Sequence, residues 1–349
     1  MEVVVFTTAI NIMATIKDIA KASGVSIATV SRVFINPDLV STATREKVLK
    51  NAERLDYKPN ALARQFRLQR TGCLYVAVPD ITNMVNYGII HGVEAVCREH
   101  DYQVLIVDVQ NSSEFEEKCV DALVRKQSDG LISLSANVSQ AVLNNARNSA
   151  PIIIAAQYVN DESIPCIVID NETAAFEASS YLISLGHTAI ALISGKSDNI
   201  LCRERIAGYY RAFLENGIAA EQGYISYGDA TMESGYLRTK KMLDEHPEIT
   251  AVFALGDIMA IGAMKAINEA GLSIPKDMSL VGFDGIKLTD YIKPTLATIK
   301  QPAFELGCTA ARIFFDIIDG KETAGGKTIL NYEFQRGETI AAPRFYKKQ

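Results

Sequence analysis

Apolar and polar positions alternate with two different periods along this chain. The first stretch, 15–70, is helical in period. Thr15 is placed to N-cap a short helix that carries Ile16, Ile19 and Ala20 on one face, and Gly24 ends it in a tight turn. Ser26 then opens a second helix, with Val30 and Val33 turned inward and Ile27, Ala28 and Arg32 outward. Two short helices around a glycine turn form a helix-turn-helix pattern, in which the second helix can reach base edges. A third helix over 42–55 is expected to bury Val48, Ala52 and Leu55. Pro59 begins a further helix-capable segment that runs to Phe66.

Beyond residue 72 the period changes. Apolar runs at 74–78, 104–107, 131–134 and 152–155 form one set, with helices expected near 86–99 and 114–127. A second set takes 167–169, 190–193, 251–253 and 280–283, with helices near 172–185, 203–216, 232–244 and 257–270. Continuous apolar strands between amphipathic helices predict parallel sheets covered on both faces. The fold class is therefore α/β: a helix-turn-helix head followed by two doubly wound lobes. Ligands bind such sheets at the carboxyl ends of their strands.

Charge sharpens this division. The net charge is -6, yet residues 13–71 hold 11 Lys/Arg against 5 Asp/Glu, so that stretch carries +6 and the rest -12. A basic head on an acidic body predicts nucleic-acid binding at one end. The cysteines at 73, 97, 119, 166, 202 and 308 share no CxxC spacing and are expected as reduced thiols. No cofactor and no metal site is expected. No apolar run reaches membrane-spanning length, so no membrane partner is expected. Residues 1–12 are apolar without a basic leader segment and are expected to be a disordered extension or an upstream start.

The words TIKDIAKASGVSIATVSRV, VSTATREKV and YKPNALAR closely resemble the LacI/GalR family of bacterial transcription regulators. The likeness continues through IDNETAAFEASSYLISLGH, RIAGYYRAF and GFDG. It implies a head at 13–58, a hinge helix and linker at 59–71, and a ligand-binding and dimerisation domain at 72–349 like the periplasmic sugar-binding proteins. Crossovers are expected near Asp170, Gln301 and Asn331, giving a first lobe of 72–170 and 302–330 and a second of 171–301 and 331–349.

The resemblance also implies roles. Arg32 would contact a base edge, with Ile27 and Ala28 tuning sequence preference. The DNA-binding set would include Thr15, Ser26, Thr29, Ser31, Asn36 and Tyr57. Asn60, Ala63, Arg64 and Phe66 would join it from the hinge, Phe66 standing where a Leu wedge is usual. Arg205 and Asp284 would meet the ligand in the interlobe cleft, with Asn86, Gln157 and Asp229 at further positions. Family members that bind nucleobases carry aromatics where this chain has Met84-Val85-Asn86 and Gly228-Asp229-Ala230; Tyr87 or Tyr158 could substitute. A nucleoside, a sugar and a sugar acid thus all remain open.

The implied protein is a cytoplasmic homodimeric repressor on a pseudo-palindromic double-stranded operator, released by a small polar effector. An effector-activated corepressor type is the alternative. A secreted solute-binding protein would share the lobes, but a basic head has no purpose there. An enzyme is not expected. Gly195-Lys196-Ser197 lacks the earlier glycine of a phosphate-binding loop, because Ile190 stands in its place, and neither HExxH nor GxSxG occurs.

Overall fold

The computed structural model describes residues 14–57, 70–137, 139–147, 149–197 and 199–344, in two units, Met1–Thr71 and Gly72–Gln349. The expected extension 1–12 lies outside the described residues, as does the hinge with Pro59, Asn60, Ala63, Arg64 and Phe66.

The head contains α1 (Ile16–Ser23), α2 (Ile27–Ile35) and α3 (Thr42–Arg54). At the start of α1 the Thr15 backbone N–H and hydroxyl both donate to Asp18, at 2.8 and 2.6 Å. These bonds, the hydroxyl's first, hold the Asp18 carboxyl below its usual range. Gly24 takes the left-handed conformation, φ 64°, that turns the chain into α2. Ile19, Val30 and Val48, one from each helix, are fully buried against one another with Ala20, Val33 and Ala52. Leu55, expected in this core, is half-buried at its edge. The Asn51 amide reaches from α3 to α1, donating to Ser23 Oγ at 3.1 Å and fixing the angle between them.

The second unit holds two six-stranded sheets. The first contains β1 (Cys73–Val78), β2 (Gln103–Asp108), β3 (Leu131–Ser133), β4 (Ile152–Ala155), β5 (Pro165–Ile169) and β11 (Gly326–Leu330), ordered β11-β5-β4-β3-β1-β2. The second contains β6 (Ile190–Ser194), β7 (Ile225–Tyr227), β8 (Ala251–Ala254), β9 (Ser279–Asp284), β10 (Ala297–Lys300) and β12 (Glu333–Gln335), ordered β12-β10-β9-β8-β6-β7. Pairing is parallel except between β10 and β12. The run 167–169, grouped from sequence with the second set, is instead a strand of the first sheet, where Ile154 pairs with Cys166. An apolar run states that a strand is buried but not which strand it joins.

The helices cover both sheets. α4 (Met84–Glu99), α5 (Ser113–Val124), α6 (Gln140–Ala146) and α11 (Ala303–Ile318) belong to the first lobe. α7 (Asn171–Ser184), α8 (Ile200–Glu215), α9 (Met232–Glu245) and α10 (Asp257–Glu269) belong to the second. The alternation in sequence did not mark α6, α11 or the strands β7, β10, β11 and β12. α4 and α11 lie backbone to backbone: a Cβ on Gly92 would stand 2.0 Å from the Phe304 carbonyl, and one on Gly307 2.0 Å from that of Ile89. Among the described residues the chain passes between lobes after β5, after β10 and after β11.

Candidate functional site: an exposed recognition helix and an interlobe cleft

On the head, Ile27, Ala28 and Arg32 are exposed on α2, with half-buried Ser31 on the same side of the helix. The spacing places Ala28, Ser31 and Arg32 within one turn of each other. Ser26 accepts the Thr29 backbone N–H at 3.0 Å, so these two cap the helix that presents that face. Thr15 is engaged with Asp18, and Asn36 closes α2 by donating its N–H to the Arg32 carbonyl at 2.8 Å. Tyr57 packs on Phe34, ring centroids 5.7 Å apart, and so also supports the head's core.

Between the lobes lies a cavity of about 820 Å³. Every segment lining it follows a strand end or opens the next helix. From the first lobe come Asp80, Thr82 and Asn83 after β1, Asn111 after β2, Ser135 to Asn137 after β3, and Gln157 to Asn160 after β4. The second lobe faces them with Asn199, Ile200 and Arg203 at the start of α8, residues 229–232 after β7, and Ile258. The lobes answer each other here. Asp80 Oδ1 accepts the Thr82 N–H and hydroxyl at 2.8 and 2.6 Å, and Asp229 Oδ1 accepts the same groups of Thr231 at 3.0 and 2.6 Å. Those Thr231 bonds hold the Asp229 carboxyl below its usual range, so it faces the cavity as an anion. Alanines at two of these strand ends have positive φ, Ala156 at 60° and Ala230 at 67°. Strain of this kind concentrates where a binding surface is held in place.

The five ligand-site candidates divide. Gln157 and Asp229 line the cavity, and among the described residues the Gln157 side chain has no hydrogen-bond partner. Asn86, Arg205 and Asp284 do not line it. Asn86 is buried and donates from Nδ2 to the Asp80 carbonyl at 2.8 Å, holding the Asp80 turn from behind. Arg205 and Asp284 are brought together, 3.7 Å apart. Arg205 donates from Nε to Asn171 Oδ1 at 2.9 Å and from Nη1 to the Leu255 carbonyl at 2.8 Å, and its guanidinium lies 3.6 Å from the Phe283 ring centroid. Asp284 has φ 117° and accepts from Gln301 Nε2 at 2.8 Å. Burial pushes the Asp284 carboxyl up to about 6 against the pull of Arg205. Asp257 behind it is fully buried, accepts from Thr298 and the Ile286 N–H, and is likewise pushed up by burial and by Asp284.

Sequence reasoning missed Glu116. This buried carboxylate accepts from Ser133 Oγ and Ser135 Oγ at 2.8 and 2.9 Å and from the Asn137 N–H at 3.3 Å, which shapes the cavity wall after β3. Burial raises its pKa despite those three donors. No spacing marks such a residue. The asparagines at 83, 111, 137, 160 and 199 could have been found, because each closely follows a strand. Of the proposed stacking residues, Tyr87 is exposed away from the cavity beside His91. Among the described residues Tyr158 is the one aromatic lining it. All six cysteines are free, and burial pushes Cys97 up to about 12 and Cys119 to about 11, far from the reactive range. Among the described residues no His/Cys/Asp/Glu cluster suits a metal, and no helix is long and apolar enough to cross a membrane.

Residues 15–60 match the family of bacterial regulatory proteins, lacI family, and residues 76–348 match the periplasmic binding proteins and sugar binding domain of the LacI family. The HTH-type transcriptional repressor CytR of Escherichia coli K12 is 37% identical over 332 residues, 95% of this chain and 97% of that protein. Catabolite control protein A of Priestia megaterium is 34% identical, over 90% of this chain and 95% of its own length. Among solved structures, the lac repressor dimer bound to operator and the anti-inducer ONPF superposes with a TM-score of 0.84 at 28% identity, over 94% of this chain and 99% of that one. The complex of the regulator CelR with cellobiose gives a TM-score of 0.71 at 28% identity, over 93% and 99% of the two chains. With both of its parts matched and repressors similar over nearly its whole length, the chain belongs to the LacI family of bacterial regulatory proteins and is a DNA-binding transcriptional regulator.

Proposed function

We propose that the protein is a cytoplasmic repressor that binds a pseudo-palindromic operator on the nucleoid as a homodimer and leaves it when a small polar effector fills the interlobe cavity. The observation that carries this is the union, in one chain, of an exposed Ile27-Ala28-Arg32 face with a cavity walled by both lobes. Arg32 reads a base edge, Ile27 and Ala28 set preference, and Thr15, Ser26, Thr29, Ser31, Asn36 and Tyr57 place that helix on the backbone. The segment 59–71, with Asn60, Ala63, Arg64 and the wedge Phe66, is the hinge. Residues 72–349 are the effector domain, with lobes of 72–170 plus 302–330 and 171–301 plus 331–349. Gln157 and Asp229 contact the effector directly. Arg205 and Asp284 complete the site from beneath, and Asn86 supports its rim. The lac repressor structure is a dimer bound to operator, and the CelR structure a complex with cellobiose, which supports both halves of the reading.

The test is a selected operator titrated against the full chain by fluorescence anisotropy, with and without a panel of nucleosides, sugars and sugar acids. Binding that prefers the selected site over random DNA and weakens with one panel member supports the proposal. Equal affinity for operator and random DNA overturns the DNA half. Strengthened binding by the active compound overturns release in favour of corepression.

A further inference from the structure

Among the described residues, two of the contacts between the lobes differ in character. One is apolar: Ile258, Ile261, Ile286 and Leu288 of the second lobe pack on the core of the first. Such a contact is non-directional and tolerates sliding. The other is polar. Tyr158, just past β4 in the first lobe, donates its hydroxyl to Glu204 Oε1 of α8 in the second at 2.7 Å. Lys327, on β11 of the first lobe, stands 3.7 Å from the same Glu204 oxygen and 3.1 Å above the Tyr158 ring centroid. A phenol bonded to a carboxylate is charge-assisted and directional, so it is either made or broken. The ammonium over the ring adds a further attraction.

We propose that Tyr158, Glu204 and Lys327 form a clasp whose closure selects one angle between the lobes. Its placement suits that task. Tyr158 itself lines the cavity, and Glu204 lies between Arg203, which also lines it, and Arg205, which ties α8 to Leu255 just after β8. Lys327 sits on the strand that leads directly into the crossover between β11 and β12. A molecule that moves the Tyr158 segment therefore acts at once on the clasp, on α8 and on a crossover. The apolar contact stays in place while the angle changes. The proposal rests on the reading of the cavity as an effector site.

The experiment measures the lobe angle directly. Nitroxide-bearing unnatural residues replace Asp121 on α5 and Lys240 on α9, both exposed, in the full chain diluted with unlabelled protein. Dipolar EPR then gives the interlobe distance distribution of the parent, Tyr158→Phe, Glu204→Ala and the double variant. Tyr158→Phe keeps the ring, and a thermal melt of each variant confirms folding. The expected result is a second distance whose population rises about three- to tenfold in each single variant, the scale of one hydrogen bond and a partly screened ion pair. The double variant should change no more than Glu204→Ala alone, because alanine removes the oxygen that both Tyr158 and Lys327 engage. Unchanged distributions in folded variants, or additive effects in the double, overturn the clasp. No effector or operator enters the measurement, so its outcome is independent of the operator titration that tests the regulator reading.

Discussion

Arg205 and Asp284 stand 3.7 Å apart, yet each makes its hydrogen bonds to other groups. Arg205 donates to Asn171 and Leu255, and Asp284 accepts from Gln301. Asn171 lies just past the β5 crossover and Gln301 just past β10, so the pair knits two crossovers to the second sheet. Arg205→Ala would leave a buried carboxylate and a buried carbonyl unmatched. The expected loss is about 3–5 kcal/mol of unfolding free energy, read from urea midpoints. Arg205→Lys should recover part of it, because the ammonium keeps the charge but not the planar fork. A loss near zero for the alanine variant would show that the network carries no structural weight.

The raised Asp284 carboxyl sets a pH dependence. Its folded value, about 6, exceeds the ordinary 3.8, so the folded state binds the proton more tightly. Stability from this group is therefore fully present below about pH 4 and is lost as pH rises through about 6. Across that window the parent should lose on the order of 3 kcal/mol relative to Asp284→Asn, whose amide does not titrate. Parallel stability curves for the two proteins between pH 4 and 6 would contradict the assignment.

Arg32→Ala should reduce the preference for operator over random DNA by ~1–3 kcal/mol. Non-specific affinity should fall only by the loss of one charge. Anisotropy titrations on both DNAs at one salt concentration separate the two effects, and an equal loss on both would make Arg32 a phosphate contact.

Glu116→Ala should leave Ser133, Ser135 and the Asn137 N–H without their acceptor. A destabilisation of about 3 kcal/mol is expected, with a smaller one for Glu116→Gln. Because that carboxylate shapes a cavity wall, the folded Gln variant should bind the active effector more weakly while holding operator as the parent does. Calorimetric effector titration checks the first and anisotropy the second.

The head was legible almost residue by residue, because its helices are short and local. Thr15, Gly24 and Ser26 announce their ends, and Ile19, Val30 and Val48 repeat at helical spacing. The strands with long apolar runs were equally plain. β11 and β12 were not, since residues such as Lys327 and Glu333 make them half-polar edges that read as loop. Partner choice was hidden for the same reason that misplaced the run 167–169. The cavity was legible through the family resemblance, which put Gln157 and Asp229 at positions that line it. It was illegible where a side chain acts through tertiary contact alone, as Glu116 does from the first turn of α5 and Glu204 does across the lobes.

The late strands bear on how the protein is made. β11 completes the first sheet and β12 the second, and Ala341 accepts from Ser279 and is hydrogen-bonded to His187 of the second lobe. Neither sheet has all its strands until residues 326–335 have left the ribosome. The head has its whole core by residue 57 and can fold as it emerges. During synthesis there is thus an interval in which a DNA-reading head exists without the lobes that govern it. A lone head holds few phosphates, so its affinity in that interval is weak.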